Sequence, residues 1–130
     1  VVTLPDLEAV AAACVAAGRE ILARPPGAAV IKDDGSPQTA ADVAAQACLV
    51  PLLRRLAPGV PVVAEEGADD PAAIRGGRWW LVDPLDGTKE YLTGSGEYTV
   101  NAALVEDGIP ILGVVHAPAL GTTWAAAGAS

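Results

Sequence analysis

The sequence has 130 residues, room for one compact domain, and a formal net charge of −8. That balance excludes the basic face on which a nucleic-acid polymer binds. Apolar residues make up 52%, but alanine inflates the figure; with no Phe or Met, the core rests on Leu, Val, Ile, three Trp and two Tyr.

Residues 5–24, PDLEAVAAACVAAGREILAR, predict a helix. Leu7, Val10, Cys14, Gly18, Ile21 and Leu22 recur at three- and four-residue spacing and define its apolar face. Pro5 suits the first turn, Asp6 and Glu8 the positive end of the helix dipole, and Arg19 and Arg24 the negative end. Pro25-Pro26-Gly27 stops it, AAVIK (28–32) is short and extended, and DDGSP (33–37) is a turn. A second helix follows from Thr39. Thr39 is its N-cap and Asp42 the third helical residue, a capping-box pattern with Asp in place of Glu. Pro51 is expected to kink or split it near residue 50, and Pro58-Gly59 to end it.

From there the period changes. VPVVA (60–64) is a short apolar strand ending in Glu65-Glu66, and GADDPAAIRGG is a surface loop. RWWLVD (78–83) is a buried strand in which Trp79 and Trp80 face opposite ways, one toward the core and one toward an adjoining layer or partner. EYTVNAALVEDGIPILGVVHAP reads as two strands about a turn at Glu106-Asp107-Gly108, with His116 structural, and TTWAAAGA as a last strand. Two helices followed by several strands indicate an α+β arrangement, the helices packed on a mainly antiparallel sheet, without internal repeat or linker.

Two cysteines and one histidine cannot build a zinc site. Cys14 and Cys48, both in alanine-rich segments, read as small buried residues of a reduced compartment. No signal peptide and no run of about 18 apolar residues is present, so the expected location is cytoplasmic, with peripheral association at the inner membrane left open.

The chemistry concentrates in LVDPLDGTKEYL (81–92). LVD is expected to end a strand, because Pro84 has no N–H for the ladder, and Gly87-Thr88 to start a short helix carrying Lys89, Glu90, Tyr91 and Leu92. Asp83 and Asp86 then stand at a strand-to-helix junction. There the Leu85 carbonyl can turn inward and helix-start N–H groups favour an anion. Carboxylates facing N–H groups suit a phosphate bridged by a hard cation such as Mg²⁺. If the strand before Glu65 is a neighbour, Glu65, Asp83 and Asp86 converge, and a cation offsets their repulsion. Each motif alone is ordinary: Asp-Gly is common turn chemistry, Glu65-Glu66 could be a solvated strand end, and Asp42 could only cap its helix.

Three blocks together are specific: DDGSPQTAADVAAQ (33–46), PVVAEEG (61–67) and WWLVDPLDGTKEYLTGSGEYTVNAALVEDGIPILGVVHAP (79–118). They resemble the inositol monophosphatase superfamily of Mg²⁺-dependent, lithium-sensitive phosphatases. Lys89-Glu90, where the plain inositol monophosphatases carry a threonine-asparagine pair, is similar to the bacterial 3'(2'),5'-bisphosphate nucleotidase branch, which serves sulfur assimilation. The resemblance implies a layered α/β/α/β/α fold and two or more Mg²⁺ ions. It makes Glu65 a metal ligand and water contact, Asp83 the bridge between ions, Leu85 a carbonyl ligand and Asp86 a ligand to the second ion. It makes Thr88 and Asp42 the pair that orients and deprotonates the attacking water. Leu85, Asp86, Gly87 and Thr88, with Glu65, would hold the scissile phosphate. Glu66 would be an outer or alternative metal contact. Lys32 and Lys89 read as surface lysines that could also balance phosphate charge.

The implied substrate is a small phosphate ester, 3'-phosphoadenosine 5'-phosphate, hydrolysed to AMP and phosphate. Inositol or sugar phosphates are the alternative, as is a fragment that turns nothing over. Family members continue into a second domain with another metal-binding Asp after a Trp, whereas Trp124 here precedes alanine. The expectation is therefore an N-terminal metal- and phosphate-binding domain over 1–130 with the C-terminal domain absent, and possible homo-oligomers.

Overall fold

The computed structural model describes residues 4–24, 30–31, 37–64 and 77–128. The elements in chain order are α1 (Leu7–Leu22), β1 (Val30–Ile31), β2 (Pro37–Gln38), α2 (Ala40–Leu56), β3 (Val62–Ala64), β4 (Arg78–Asp86), α3 (Thr88–Thr93), β5 (Thr99–Glu106), β6 (Ile109–Ala117) and β7 (Thr122–Ala127). β1 and β2 form a small antiparallel pair. The main sheet has the order β3-β4-β5-β6-β7; β3 runs parallel to β4 and every other pairing is antiparallel. The expected arrangement of two helices on a mainly antiparallel sheet is what the chain adopts.

α1 begins at Asp6, whose carboxylate accepts from the Glu8 N–H at 3.2 Å, so Pro5 lies before the helix rather than in its first turn. Its buried face is Val10, Ala13, Cys14, Ala17, Gly18 and Ile21. Leu22, expected on that face, is 55% exposed, because the helix ends there and the chain turns away. Gly18 lets α1 lie close on β6: a Cβ there would stand 2.8 Å from His116 Cδ2. His116 is buried, as its structural reading requires, and its Nδ1 shares a 2.7 Å hydrogen bond with Thr123 Oγ1. Burial pushes the Cys14 thiol up to about 12. Cys48 is only half-buried, so one of the two cysteines departs from the buried expectation; both are free thiols.

α2 runs unbroken through Pro51, against the expected split. Pro51 is on the exposed face, as is Ala47, the residue one turn earlier whose carbonyl Pro51 cannot satisfy, so water can reach that carbonyl. Leu49, Val50 and Leu53 meanwhile bury both halves of the helix in one core. Trp80, Val82, Val100, Ala102, Leu104, Leu112 and Val114 supply the sheet side of that core. Trp80 is fully buried and Trp79 only partly, the alternation read from the sequence. The β5–β6 hairpin closes on Asp107-Gly108, with φ of 50° and 81°, the left-handed pair that a two-residue turn demands.

β4 departs from expectation in a way that matters for the site. It does not end at Asp83 but continues to Asp86. Asp83 pairs with Asn101 and Asp86 with Thr99, so the ladder advances three residues on β4 for two on β5, which defines a β-bulge. Pro84 sits inside the bulge, fully buried, where its missing N–H breaks no ladder bond. Among the described residues no helix is long and apolar enough to cross a membrane. The expected surface loop GADDPAAIRGG (67–77) lies outside the described residues except for Gly77, as do Glu65, Glu66 and Lys32.

Candidate active site

The site is built where α2 begins and β4 ends. At the start of α2, Thr39 and Asp42 form a reciprocal capping box. Thr39 N–H and Thr39 Oγ1 donate to Asp42 Oδ2 at 2.8 and 2.5 Å, and Asp42 N–H donates back to Thr39 Oγ1 at 3.3 Å. This fixes the Asp42 side chain, which is only 4% exposed. Its second oxygen, Oδ1, is left pointing away from the cap. There it accepts from Thr88 Oγ1 at 3.1 Å, across 46 positions of sequence.

Thr88 is carried to that place by the end of β4. In the bulge the Leu85 N–H leaves the ladder and donates to Asp83 Oδ1 at 3.3 Å. Gly87 follows with φ 95°, a left-handed conformation that side chains disfavour. A Cβ there would also meet the Glu97 carbonyl oxygen at 2.9 Å. Only glycine therefore turns the chain from β4 into α3 at this spot. Thr88 begins α3, and its hydroxyl also lies 3.4 Å from the Leu85 carbonyl oxygen. Tyr91, one turn later, anchors α3 to the far end of α1: its hydroxyl donates to the Arg24 carbonyl at 2.8 Å. Its ring meets Tyr98 edge-on at 5.4 Å. Burial, then Tyr98 and the Asp42 charge, push the Tyr91 phenol up, against a smaller opposing effect of Arg24, so it remains a donor.

On β4, Asp83 faces a cavity of about 590 Å³ on the side of the sheet that the helices leave open. Most of its lining is apolar, from Val63, Leu81, Ala103 and Val115; the polar side chains are Asp83 and Asn101. Asp86 is exposed, and its Oδ2 accepts from Asn101 Nδ2 at 3.4 Å. Of the residues expected to act, the structure thus gathers Asp42, Asp83, Leu85, Asp86, Gly87 and Thr88. Among the described residues no group of three His, Cys, Asp or Glu could hold a metal; Glu65, the third expected carboxylate, lies outside them. Lys89 is exposed, as a surface lysine should be. Asn101 is the contributor that sequence reading missed. An Asn in an otherwise apolar strand was the available signal, but its meaning depends on register.

The two helices on a mainly antiparallel sheet, with this strand-to-helix junction, belong to a known class: the chain is a member of the inositol monophosphatase family, whose sequence profile matches residues 5–130. It is 52% identical over 101 residues to the 3'(2'),5'-bisphosphate nucleotidase CysQ of Shigella flexneri, covering 75% of this chain and 40% of that protein. The CysQ of Salmonella typhimurium is 54% identical over 99 residues, 74% of this chain and 39% of that one. Among solved structures, CysQ from Bacteroides thetaiotaomicron superposes with a TM-score of 0.78 at 38% identity, covering 95% of this chain and 46% of that chain. The Thermotoga maritima IMPase gives 0.82 at 30% identity, covering 95% and 48%. The chain spans about 40% of the length of the curated relatives it matches.

Proposed function

We propose that these residues serve a Mg²⁺-dependent phosphatase that removes the 3'-phosphate of 3'-phosphoadenosine 5'-phosphate, giving AMP and phosphate. The identity to 3'(2'),5'-bisphosphate nucleotidases supports the substrate class. The observation that carries the chemistry is the 3.1 Å bond from Thr88 to Asp42. A hydroxyl whose single proton is committed to a carboxylate presents lone pairs to its other side. A water donating to Thr88 Oγ1 is oriented by that bond. As the water attacks phosphorus, its proton passes to Thr88 while the Thr88 proton passes to Asp42, so the proton ends on Asp42 as a neutral, buried carboxylic acid and the negative charge moves to the phosphoryl group.

The donor set fits a hard cation. Asp83, Asp86 and the Leu85 carbonyl are all oxygen donors at one bulge, and beside them Asn101 Oδ1 is buried without a hydrogen-bond partner. Asp83, the Leu85 carbonyl and Asp86 would hold the ions. Glu65 is the residue after Ala64, whose register partner Val82 precedes Asp83; that sequence position supports Glu65 as a third carboxylate ligand and water contact. Bound Mg²⁺ would acidify the attacking water and offset charge on the attacking and leaving oxygens. The segment Leu85-Asp86-Gly87-Thr88 would cradle the phosphate, with the glycine admitting a close approach of backbone.

The test is phosphate release from 3'-phosphoadenosine 5'-phosphate, AMP and inositol 1-phosphate, with Mg²⁺, with chelator and with added lithium. The expected result is Mg²⁺-dependent, lithium-inhibited release from the bisphosphate. Preference for inositol 1-phosphate would transfer the reading to the inositol phosphatases, and release that survives chelation would end the metal-dependent proposal.

A further inference from the structure

We infer that Asn101 is a positioning residue of this site, clamping Asp86 with one end of its amide and taking a hydrogen bond from the hydration shell of the cation with the other; the inference rests on the metal-dependent reading above. Asn101 stands directly opposite Asp83 in the β4–β5 register. Residues directly opposite in a ladder project to the same face, so its side chain shares the open face with Asp83. Its Nδ2 donates to Asp86 Oδ2 at 3.4 Å, a long bond with room to tighten. Charge fixes the orientation of the amide. Turned over, it would aim Oδ1 at the carboxylate and lose the hydrogen bond to Asp86.

The consequence is that Oδ1 is buried with no hydrogen-bond partner among the described residues. Leaving such an acceptor unmade carries the full desolvation penalty of the group. The neighbouring open-face positions are Leu81, Ala103 and Val115, and an apolar residue at 101 would match them without that penalty. The orphan is also an acceptor set among acceptors, with Asp83 opposite and Asp86 beside it. No described group donates to it. A hydrated divalent cation held by Asp83 and Asp86 brings both missing things: positive charge for the carboxylates and O–H donors for Oδ1.

The test compares Asn101→Ala and Asn101→Leu with the parent full-length protein by calorimetric Mg²⁺ titration and by melting with and without Mg²⁺. Leu keeps the branching and heavy-atom count of Asn, at a larger volume, and removes both polar atoms. Both variants are expected to melt without metal at or above the parent temperature, because an unmade acceptor is gone. Their Mg²⁺ affinity should fall by about 10–100-fold, the usual loss when a group supporting a metal ligand is removed. Unchanged Mg²⁺ affinity would overturn the inference and leave Oδ1 to an ordinary buried water. Failure of both variants to fold would overturn it too, by making Asn101 structural. The two readings separate cleanly: Mg²⁺ binding lost in Asp83→Asn but kept in both Asn101 variants removes only this inference, whereas a parent that binds no Mg²⁺ removes both.

Discussion

Asp42 serves two partners, and Asp42→Asn should separate what each contributes. In the native site Oδ2 takes two hydrogen bonds from Thr39 and Oδ1 takes one from Thr88. An Asn side chain has one acceptor oxygen and one donor NH₂. If its oxygen stays with Thr39, the capping box survives but the NH₂ faces Thr88, whose hydroxyl must then accept. The lone pairs that would orient the water are lost, and so is the base. If the amide turns over, the Thr88 bond survives and the NH₂ confronts the Thr39 N–H, breaking a cap worth about 0.5–2 kcal/mol. Either way one arm fails, and the negative charge at the helix start, worth about 0.3–1 kcal/mol, is gone. We expect a stability loss of about 1 kcal/mol, or about 4 °C in a chain of 130 residues. We expect kcat to fall by about 10²–10⁴-fold, with Mg²⁺ affinity little changed. The two losses are not interchangeable. A domain with about 5–15 kcal/mol of stability stays folded after losing one, so the rate loss cannot be unfolding. Melting, Mg²⁺ titration and steady-state kinetics read the three quantities. The double variant with Thr88→Ala should cost scarcely more than the worse single variant, because the pair acts as one unit. A lowered melting temperature with native kcat would refute the reasoning and leave Asp42 a helix cap and nothing more.

Asp83→Asn and Asp86→Asn should each abolish Mg²⁺ binding by titration while the metal-free melting temperature holds or rises, since removing a carboxylate relieves repulsion at the bulge; normal Mg²⁺-dependent turnover in either would contradict the ligand assignment. Gly87→Ala should destabilise by about 2 kcal/mol or more, from the left-handed φ and the close Glu97 carbonyl together, and denaturant melts would show it. For pH, burial lowers the His116 pKa, with a smaller raising effect from Thr122 and a lowering one from Arg19. The unfolded chain then takes up a proton first as pH falls, so stability is full above about 6.5 and declines below it until the folded His116 also titrates. His116→Gln should flatten that part of the stability–pH profile, and an unaltered slope would remove His116 as its source.

What could be read from the sequence was local. The α1 face, the Thr39–Asp42 capping box and the Asp107-Gly108 hairpin each depend on residues a few positions apart, and each is present. Two element boundaries expected at prolines did not fall there, for different reasons. Pro51 sits where solvent can satisfy the carbonyl it abandons, and Pro84 sits where a bulge removes the ladder bond it cannot make. The Asp42–Thr88 bond joins residues 46 apart and no periodicity announces it; only resemblance to a family paired them. Asn101 was invisible because its relation to Asp83 and Asp86 is a matter of register, which depends on where β4 slips against β5.

That slip also explains the spacing of the two aspartates. Side chains alternate along a strand, so residues three apart, such as Asp83 and Asp86, would point to opposite faces of a regular β4. One carboxylate would then be driven toward the helices and the core. The bulge inserts one residue, and the partners of the two aspartates, Asn101 and Thr99, are two apart on β5 and share a face. Asp83 and Asp86 are returned to the same side, within reach of the same Asn101 amide. Pro84 favours this irregularity over an ordinary ladder, since proline cannot donate to one. Gly87 then ends the strand by a turn that no other residue takes comfortably. The run Asp-Pro-Leu-Asp-Gly-Thr is thus a set of backbone instructions as much as a set of ligands. The proline and glycine bend the chain so that two acids face one way and the threonine hydroxyl reaches Asp42.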